Sequence, residues 1–236
     1  KTVILDELFL NQTLDKLTDC EKNSSWILKP ALLNNGQGIK IFSKISDVRK
    51  YFQQSDRYSG LFVLQKYISN PQLIDNKKFS IRMFIVLSGN GQILLYPKGY
   101  LNLCQKNYDS CNFSLEAHLT NEYLNTDGSK NNTQLTTDVW LQYEDLLPLI
   151  KLQCKDVFSP WFCQRDLKPD SYAILGVDFM TDVNNNLWLL EVNNGACFPI
   201  NDSHPLYSCL YSPLWSSLVE GIIENQTFSK NFIKLN

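Results

Sequence analysis

Two pairs of apolar runs, each joined by a short polar turn, most constrain the fold of this chain. The first pair covers residues 79–87 and 93–96, and the second covers residues 173–181 and 187–192. Asn90-Gly91, between the first two runs, is a strong hairpin signal because both residues tolerate the positive φ of a tight turn. Hairpins with intervening helices predict an α+β fold built mainly from antiparallel sheets.

Shorter signals of periodicity and turn composition predict the remaining elements. Apolar residues recur at helical spacing over residues 6–17, 46–52, 139–154 and 213–224, and Ser46 is the expected cap of the second helix. Short strands are predicted over residues 26–30, 39–42 and 61–67, with a flexible turn over residues 34–38. Residues 106–138 are polar and poorly periodic, which predicts a long loop with short elements.

Composition and charge argue against several classes of protein. The net charge of -2 provides no overall basic field, so bulk attraction to nucleic acid or an anionic membrane is not expected. The seven cysteines show no CxxC or Cys/His ligand spacing. We therefore expect no structural zinc site and mostly free thiols in a reducing, cytoplasmic compartment. No apolar run reaches about 18 residues, so no transmembrane helix is expected.

A basic face is predicted on the strand around residue 80. Alternation places Lys78, Ser80 and Arg82 on the same side of this strand. Arginine offers a planar fork of donors and lysine a point charge, and together they suit a polyphosphate. The alternative, more common for one such strand taken alone, is a sheet face that points into solvent.

Two carboxylates and an amide form a second group. Glu191 and Asn193 are two residues apart, so a strand points both side chains the same way, and the hairpin can place Asp178 alongside. An ionised carboxylate among apolar neighbours is costly unless it is paired or bound to a metal ion. Carboxylate and amide oxygens are hard ligands that suit Mg²⁺. The alternative is a surface-facing pair and a cap.

Other chemistry is weakly indicated. Lys29 ends a strand before the turn at residues 34–38 and could reach a phosphate, although a lysine there is ordinarily solvated. The turn lacks Gly-Lys-Ser/Thr and is therefore not a Walker loop. No Gly-x-Ser-x-Gly elbow and no His-Glu-x-x-His sequence occurs, so neither a serine hydrolase nor a zinc protease is indicated.

Taken in order, these segments resemble the tubulin tyrosine ligase and ligase-like family, a branch of the ATP-grasp enzymes. The segments that carry the resemblance are WILKP (26–30), GQGI (36–39), VLQKYI (63–68), KFSIR (78–82), YPKGY (96–100), HLTN (118–121), LGVDFM (175–180) and WLLEVN (188–193). Each is modest alone, but their order and spacing are specific over roughly residues 24–220. The N-terminal region of the family is not recognisable here.

The resemblance implies an ATP-grasp-like fold that holds the nucleotide between two sheets. A partial central subdomain would cover residues 1–70 and a C-terminal catalytic subdomain residues 71–236. The implied cofactors are ATP and Mg²⁺. Their implied contacts are Lys29 and Lys78 for the phosphates or ribose, Gln65, Lys66, Ile68, His118, Leu119, Thr120, Asn121 and Leu190 around the nucleotide, and Asp178, Glu191 and Asn193 on the metal. Arg82, beside the transferred phosphate, and Glu191 would be the catalytic residues.

The implied reaction joins an amino acid to a protein in two steps. ATP phosphorylates a carboxylate to an acyl phosphate, and an amine then attacks to give an amide, ADP and phosphate. Positioning and charge neutralisation would supply most of the catalysis. The implied partners are an amino acid and an acidic tubulin tail, which a patch of Lys77, Lys78, Arg82 and Lys98 would meet in a cytoplasmic, cytoskeleton-associated protein.

Two positions depart from the family pattern. The family usually has Asp where this chain has Ser80, and Arg where it has Asn102. Three functions therefore stay open: an active ligase acting on a protein, a ligase-fold protein that binds nucleotide or tubulin without turnover, and an ATP-grasp ligase for small molecules. The sequence identifies neither the amino acid added nor the protein that accepts it.

Overall fold

The chain forms two compact units that no single cut in the sequence separates. The computed structural model describes residues 1–122, 129–162, 168–199, 201–222 and 231–236. The first unit contains Lys1–Lys78 and Cys104–Asn132, and the second contains Phe79–Leu103 and Thr133–Asn236. The boundary predicted at residue 70 therefore lies inside the first unit, which residues 104–132 rejoin later in the chain.

An antiparallel sheet in the order β1-β4-β2-β3 forms the base of the first unit. Its elements are β1 (Thr2–Leu5), α1 (Leu10–Asp15), α2 (Asp19–Lys22), β2 (Trp26–Pro30), β3 (Lys40–Phe42), α3 (Ile45–Phe52), β4 (Phe62–Lys66), the short β5 (Leu73–Ile74) and α4 (Leu115–His118). The strands predicted over residues 26–30, 39–42 and 61–67 are confirmed. The turn after β2 is confirmed too, with positive φ at Asn35, Gly36 and Gly38.

The two faces of this sheet bury different groups of side chains. Trp26 and Leu28 of β2 pack with Val48 of α3 on one face. Ile27, which alternates with them, packs with Tyr67 and Leu119. The helix predicted over residues 46–52 is confirmed, but the Ser46 cap is wrong. Helix α3 begins at Ile45 after an N-cap at Lys44 that makes no side-chain hydrogen bond, because Ile45 is buried in the core and belongs to the first turn.

A larger antiparallel sheet dominates the second unit. It follows the order β11-β10-β6-β7-β12, with β8 paired to β6 and β9 paired to β8. Its elements in chain order are β6 (Lys77–Ser88), β7 (Ile93–Leu95), β8 (Tyr100–Cys104), β9 (Asn132–Thr136), α5 (Tyr143–Phe162), β10 (Tyr172–Thr181), β11 (Leu187–Asn194), α6 (Ser212–Ile222) and β12 (Ile233–Lys234). Phe84 and Val86 of β6 share a core with Leu214 and Leu218 of α6.

Both predicted hairpins are confirmed, since β6 pairs with β7 and β10 pairs with β11. The predicted helix over residues 139–154 begins too early. Val139 lies in a short 3-10 turn and is 61% exposed, so the buried face starts at Tyr143. Residues 223–224 of the last predicted helix lie outside the described residues. The described part of residues 106–138 contains only short elements, as predicted.

Two further properties concern membranes and thiols. Within the described ranges, no helix combines the length and apolar character needed to cross a membrane. Cys20, Cys104, Cys111, Cys154, Cys197 and Cys209 are free thiols. Cys163 lies outside the described residues.

Candidate functional site

Polar side chains cross the sheet of the second unit from β11 to β6. Asp178 of β10 lies opposite Glu191 of β11 on one side and opposite Arg82 of β6 on the other. Side chains that are directly opposite in antiparallel strands share a sheet face. The register therefore brings together the carboxylates predicted to bind a metal ion and the arginine predicted to act in catalysis.

Arg82 and Asp178 form a buried, two-pronged ion pair. Arg82 Nε donates to Asp178 Oδ1 at 2.6 Å, and Nη2 donates to Oδ2 at 2.9 Å. The two side chains are only 12% and 10% exposed, so the alternative of a solvated face is wrong at Arg82. Gly176 makes room for this pair, because a Cβ atom there would lie 2.9 Å from Nη1 of Arg82.

Asn193 links the two carboxylates. Its Nδ2 donates to Asp178 Oδ2 at 3.0 Å and to Glu191 Oε1 at 3.2 Å. The two carboxylate oxygens thus converge on one point, where the amide hydrogens now lie. A cation at that point would find both oxygens, and an Asn193 amide turned about its last torsion would add its own oxygen.

The charges of this group are unbalanced. Burial is the main cause that raises the pKa of Asp178, Arg82 opposes the increase, and the Glu191 carboxylate adds to it. Burial is the largest single cause and lowers the pKa of Arg82, but the hydrogen bonds to Asp178 and the nearby negative charge of Asp178 and other groups together hold the pKa above the ordinary arginine value. Arginine stays protonated in proteins, so one positive charge faces two carboxylates. A bound cation would relieve this excess of negative charge.

Two carboxylates and an amide are oxygen donors of the kind that Mg²⁺ prefers. Mg²⁺ is usually bound through one or two carboxylates together with phosphate oxygens and water. Within the described ranges, no group of three or more His, Cys, Asp or Glu residues is arranged to hold a metal ion. Asp178 already accepts hydrogen bonds from Arg82 on both oxygens. Glu191 is exposed, so its carboxylate is the more accessible of the two.

Strand β11 is more exposed than its apolar sequence predicts. Trp188 is 43% exposed and Val192 is 40% exposed, because β11 lies at one end of the sheet path. The expectation that apolar neighbours bury the carboxylates is therefore correct for Asp178 and wrong for Glu191. Leu190, predicted to contact the nucleotide, is the extra residue of a bulge, since Asp178 pairs with Glu191 and Phe179 with Leu189.

The two departures from the family pattern lie side by side. Ser80 of β6 is directly opposite Asn102 of β8, and both residues are buried. Gln134 of β9 donates from Nε2 to Asn102 Oδ1 at 3.0 Å. A neutral polar group therefore occupies the place where the resemblance leads one to expect opposite charges.

The first unit buries Lys78 against aromatic side chains. Lys78 Nζ donates to the Tyr67 hydroxyl at 2.7 Å and lies 4.3 Å from the centre of the Tyr67 ring. The Tyr67 hydroxyl is 2.6 Å from His118 Nδ1. Lys78 is 3% exposed, so the alternative of a solvated face is wrong here as well.

The charges around Lys78 favour an anion. Burial is the main reason that the pKa of Lys78 falls to about 7, with the Cys104 thiol acting the other way and the positive charge of Lys29 adding to the decrease. Burial and the charge of Lys78 also lower the pKa of His118. Lys29 and Lys78, both predicted to contact phosphate, are thus close enough to repel each other. A phosphate would relieve that repulsion.

The other predicted nucleotide contacts in and after β4 do not all lie on the sheet face of Tyr67. Gln65 lies opposite Ile27 and Lys66 opposite Trp26, so their side chains occupy opposite faces of the sheet. Gln65 shares the face of Tyr67, and the exposed Lys66 side chain does not. Ile68 follows the strand and is half-buried.

The HLTN segment contributes both buried and half-buried residues. His118 is buried beside Tyr67, and Leu119 packs in the same apolar group as Tyr67 and Ile27. The Thr120 carbonyl oxygen accepts a hydrogen bond from Asn132 Nδ2 at 2.7 Å. Asn121 is half-buried. His118 and Leu119, the first two residues of this segment, therefore lie close to Tyr67.

Sequence reasoning missed Tyr67 and Tyr108. Tyr67 lies within a segment that carries the resemblance, and its alternation with Gln65 is a signal that could have found it. Tyr108, whose ring centre is 6.0 Å from Lys78 Nζ, lies in an aperiodic loop that gives no such signal.

The basic patch predicted for an acidic partner is wrong as a free surface. Lys78 is buried, and Arg82 is paired with Asp178. Lys98 Nζ lies 3.1 Å from Asp138 Oδ2, and Lys77 is half-buried. An acidic partner would therefore have to compete with partners these cations already have.

Comparison with known proteins places the chain in a family. The model of the tubulin-tyrosine ligase family matches residues 3–230. The chain belongs to the tubulin-tyrosine ligase family. The match covers both compact units, so the carboxylate group on β10 and β11 and the Lys78 cluster both lie inside the family region.

Several relatives within the tubulin-tyrosine ligase family carry names of tubulin-modifying enzymes. The chain is 29% identical over 220 residues to a tubulin glycylase of Tetrahymena thermophila, which covers 82% of the chain. It is 29% identical over 202 residues to a probable tubulin polyglutamylase of Homo sapiens, covering 77% of the chain. It is 26% identical over 262 residues to a probable tubulin–tyrosine ligase of Schizosaccharomyces pombe, covering 93% of the chain.

The chain is short beside these relatives. The matched regions span 18%, 33% and 64% of the three relatives' own lengths. The family region is thus shared, while most of the first two relatives lies beyond the match.

Proposed function

We propose that this chain is the core of an ATP- and Mg²⁺-dependent ligase that joins an amino acid to a protein, with a tubulin tail as the acceptor. Membership of the tubulin-tyrosine ligase family supports a ligase, and the names of the relatives support tubulin as the acceptor. The observation that carries the proposal is the convergence of Asp178 and Glu191 oxygens on one point beside an ion-paired arginine.

The lysines of the first unit would serve the nucleotide phosphates. Lys78 donates a hydrogen bond to the Tyr67 hydroxyl, and burial, with a smaller contribution from the charge of Lys29, lowers the pKa of Lys78. A phosphate oxygen would stabilise both ammonium groups, since an opposite charge favours the charged form. The residues proposed to line the nucleotide are Gln65, Lys66, Ile68, His118, Leu119, Thr120, Asn121 and Leu190.

The carboxylates of the second unit would hold Mg²⁺. Asp178 and Glu191 would supply one oxygen each, and Asn193 would supply its amide oxygen after the turn described above. Bound Mg²⁺ would neutralise charge on phosphate oxygens and keep them oriented for attack. Asp178 also orients Arg82, whose guanidinium has five N–H donors and can serve a substrate oxygen as well.

A melting experiment with nucleotide tests this proposal. Ligand binding to the folded state raises stability by about 2.7 kcal/mol at a concentration 100 times Kd. We expect Mg-ATP to raise the Tm of the wild type and to raise it much less in Glu191→Gln. Glu220→Gln, which changes another exposed glutamate in the second unit, is the matched control and should behave as the wild type. No shift in the wild type at millimolar Mg-ATP would contradict the nucleotide site.

A second candidate is binding without turnover. It is favoured by one observation, the neutral Ser80–Asn102 pair at a buried position on the sheet face that carries Arg82. Losing a carboxylate and a cation there would weaken catalysis while leaving Asp178 and Glu191 in place. Release of ADP with amino acids and tubulin present separates the two: a Mg-ATP-dependent Tm rise without ADP would support this second candidate.

A further inference from the structure

A line of hydrogen bonds joins Lys78 to Tyr67 and Tyr67 to His118, and the chemistry of its two ends sets its direction. When Lys78 is protonated its ammonium can only donate, so the Tyr67 oxygen accepts from Lys78 Nζ at 2.7 Å. Tyr67 then directs its own hydrogen to His118 Nδ1, 2.6 Å away. His118 Nδ1 must therefore be the acceptor nitrogen, and the proton of the neutral ring is on Nε2.

Backbone carbonyls fix that tautomer. His118 Nε2 lies 2.9 Å from the Asp109 carbonyl oxygen and 2.8 Å from the Asn112 carbonyl oxygen. Carbonyl oxygens only accept, so Nε2 has to carry a hydrogen. A doubly protonated ring would place a second positive charge beside Lys78 in a buried position, which is unfavourable because burial penalises charge.

The charged and titratable groups that face Lys78 come from several elements. Lys29 of β2 opposes its positive charge, and the Cys104 thiol at the end of β8 favours it. Tyr108 approaches from the loop and sends its own hydrogen to the Ser69 carbonyl oxygen at 2.6 Å. Tyr67 accepts from Lys78 through a hydroxyl that His118 orients.

We propose that Tyr67 and His118 are positioning residues for Lys78. The carbonyls of Asp109 and Asn112 set the His118 tautomer, His118 orients the Tyr67 hydroxyl, and the Tyr67 oxygen then holds the Lys78 ammonium charged and in place. The anion that this ammonium serves is the nucleotide phosphate only if the proposed function holds. The hydrogen-bonded line itself does not depend on that function.

Titration of Lys78 by NMR directly tests the hydrogen bonds that run from His118 through Tyr67 to Lys78. The ¹³Cε resonance of Lys78, assigned by its loss in Lys78→Met, reports the charge of this buried amine without reagent access. In the wild type without nucleotide, we expect a titration midpoint near the pKa of about 7 that burial imposes. In Tyr67→Phe the ring remains and the oxygen is lost, so the midpoint should fall by about one pH unit, a tenfold change in the ionisation constant.

Two sets of variants separate orientation from general damage. Tyr143→Phe removes another buried tyrosine hydroxyl, which donates to the Pro97 carbonyl oxygen at 2.6 Å in the second unit, and should leave the midpoint unchanged. His118→Leu should lower the midpoint, and His118→Asn, which keeps an acceptor near Nδ1, should restore it at least in part. If His118→Leu fails to fold, the Tyr67→Phe titration still tests the proposal. An unchanged or raised midpoint in Tyr67→Phe would overturn the proposal.

Nucleotide then distinguishes this inference from the proposed function. Mg-ATP should raise the Lys78 midpoint, and the weaker Mg-ATP affinity of Tyr67→Phe should recover as the pH is lowered, which a merely structural defect would not show. If Mg-ATP does not move the Lys78 midpoint but Tyr67→Phe lowers it as expected, the nucleotide role is contradicted and the positioning roles of Tyr67 and His118 are supported. If Mg-ATP raises the Lys78 midpoint but Tyr67→Phe leaves it unchanged, the nucleotide role is supported and the positioning roles are contradicted.

Discussion

Arg82 and Asp178 lie opposite each other on β6 and β10 and share two hydrogen bonds of 2.6 and 2.9 Å. The same aspartate faces Glu191 on its other side. Asp178 therefore belongs at once to an ion pair and to a pair of like charges. It ties the position of the arginine to the position of the proposed metal ligands.

Removing one partner of this ion pair should cost considerable stability. Asp178→Asn leaves a buried guanidinium without its counter-charge, and such losses cost about 3–5 kcal/mol. Arg82→Met should cost a similar amount, because it leaves the buried Asp178 carboxylate without its counter-charge. Urea unfolding of both single variants and of the double variant measures this. We expect the double variant to lose less than the sum, and strict additivity would show that the pair is not coupled.

Gly176→Ala should disturb the Arg82–Asp178 ion pair by steric overlap with Arg82. The added Cβ would lie 2.9 Å from Nη1 and 3.2 Å from Cδ of Arg82, whose far end cannot simply swing away because Asp178 holds it. We expect a loss of about 1–3 kcal/mol in the free energy of unfolding, as for other overpacked sites. The same change in an Arg82→Ala background should cost much less. An equal cost in both backgrounds would point to the backbone instead of the clash.

Alternation and turn composition were enough to predict much of this site. They predicted the shared face of Lys78, Ser80 and Arg82, the shared direction of Glu191 and Asn193, and both hairpins that carry them. These features depend on residues close together in sequence. A period of two and a tight turn therefore reveal them.

Register and burial could not be predicted in the same way. Ser80 faces Asn102 because of how β6 and β8 align, and this alignment depends on loop geometry that no local pattern encodes. Alternation left a solvated face open as the alternative for Lys78, yet the loop and helix that supply Tyr108 and His118 cover it. Trp188 and Val192 are apolar and yet 43% and 40% exposed, because β11 lies at the end of the sheet path.

Restoring charges at the Ser80–Asn102 pair should reveal whether the two positions are coupled. Ser80→Asp or Asn102→Arg alone buries an uncompensated charge, for which we expect a loss of roughly 2–5 kcal/mol. Asn102→Arg should be the worse, because Arg82 shares the strand face of Ser80. The double variant should recover about 1–3 kcal/mol relative to the sum, since the two charges would be cross-strand neighbours. Chemical denaturation tests this, with Ser80→Ala as the neutral control.

The free energy of unfolding should rise as the pH increases above 7, because buried Lys78 loses its proton more readily than it does in the unfolded chain. Its pKa is lowered to about 7 in the folded state from the ordinary value of 10.5, so above pH 7 the unfolded state binds more protons. Stability then increases with pH, by at most about 1.4 kcal/mol per pH unit. The cleanest window is pH 7 to about 8.5, because above it the Cys104 thiol, whose pKa is raised to about 11 mainly by burial, contributes with the opposite sign. Denaturant unfolding across this window should show a slope in the wild type and in Lys50→Met, an exposed-lysine control, and a flatter line in Lys78→Met. The same slope in all three proteins would show that Lys78 keeps its proton when buried.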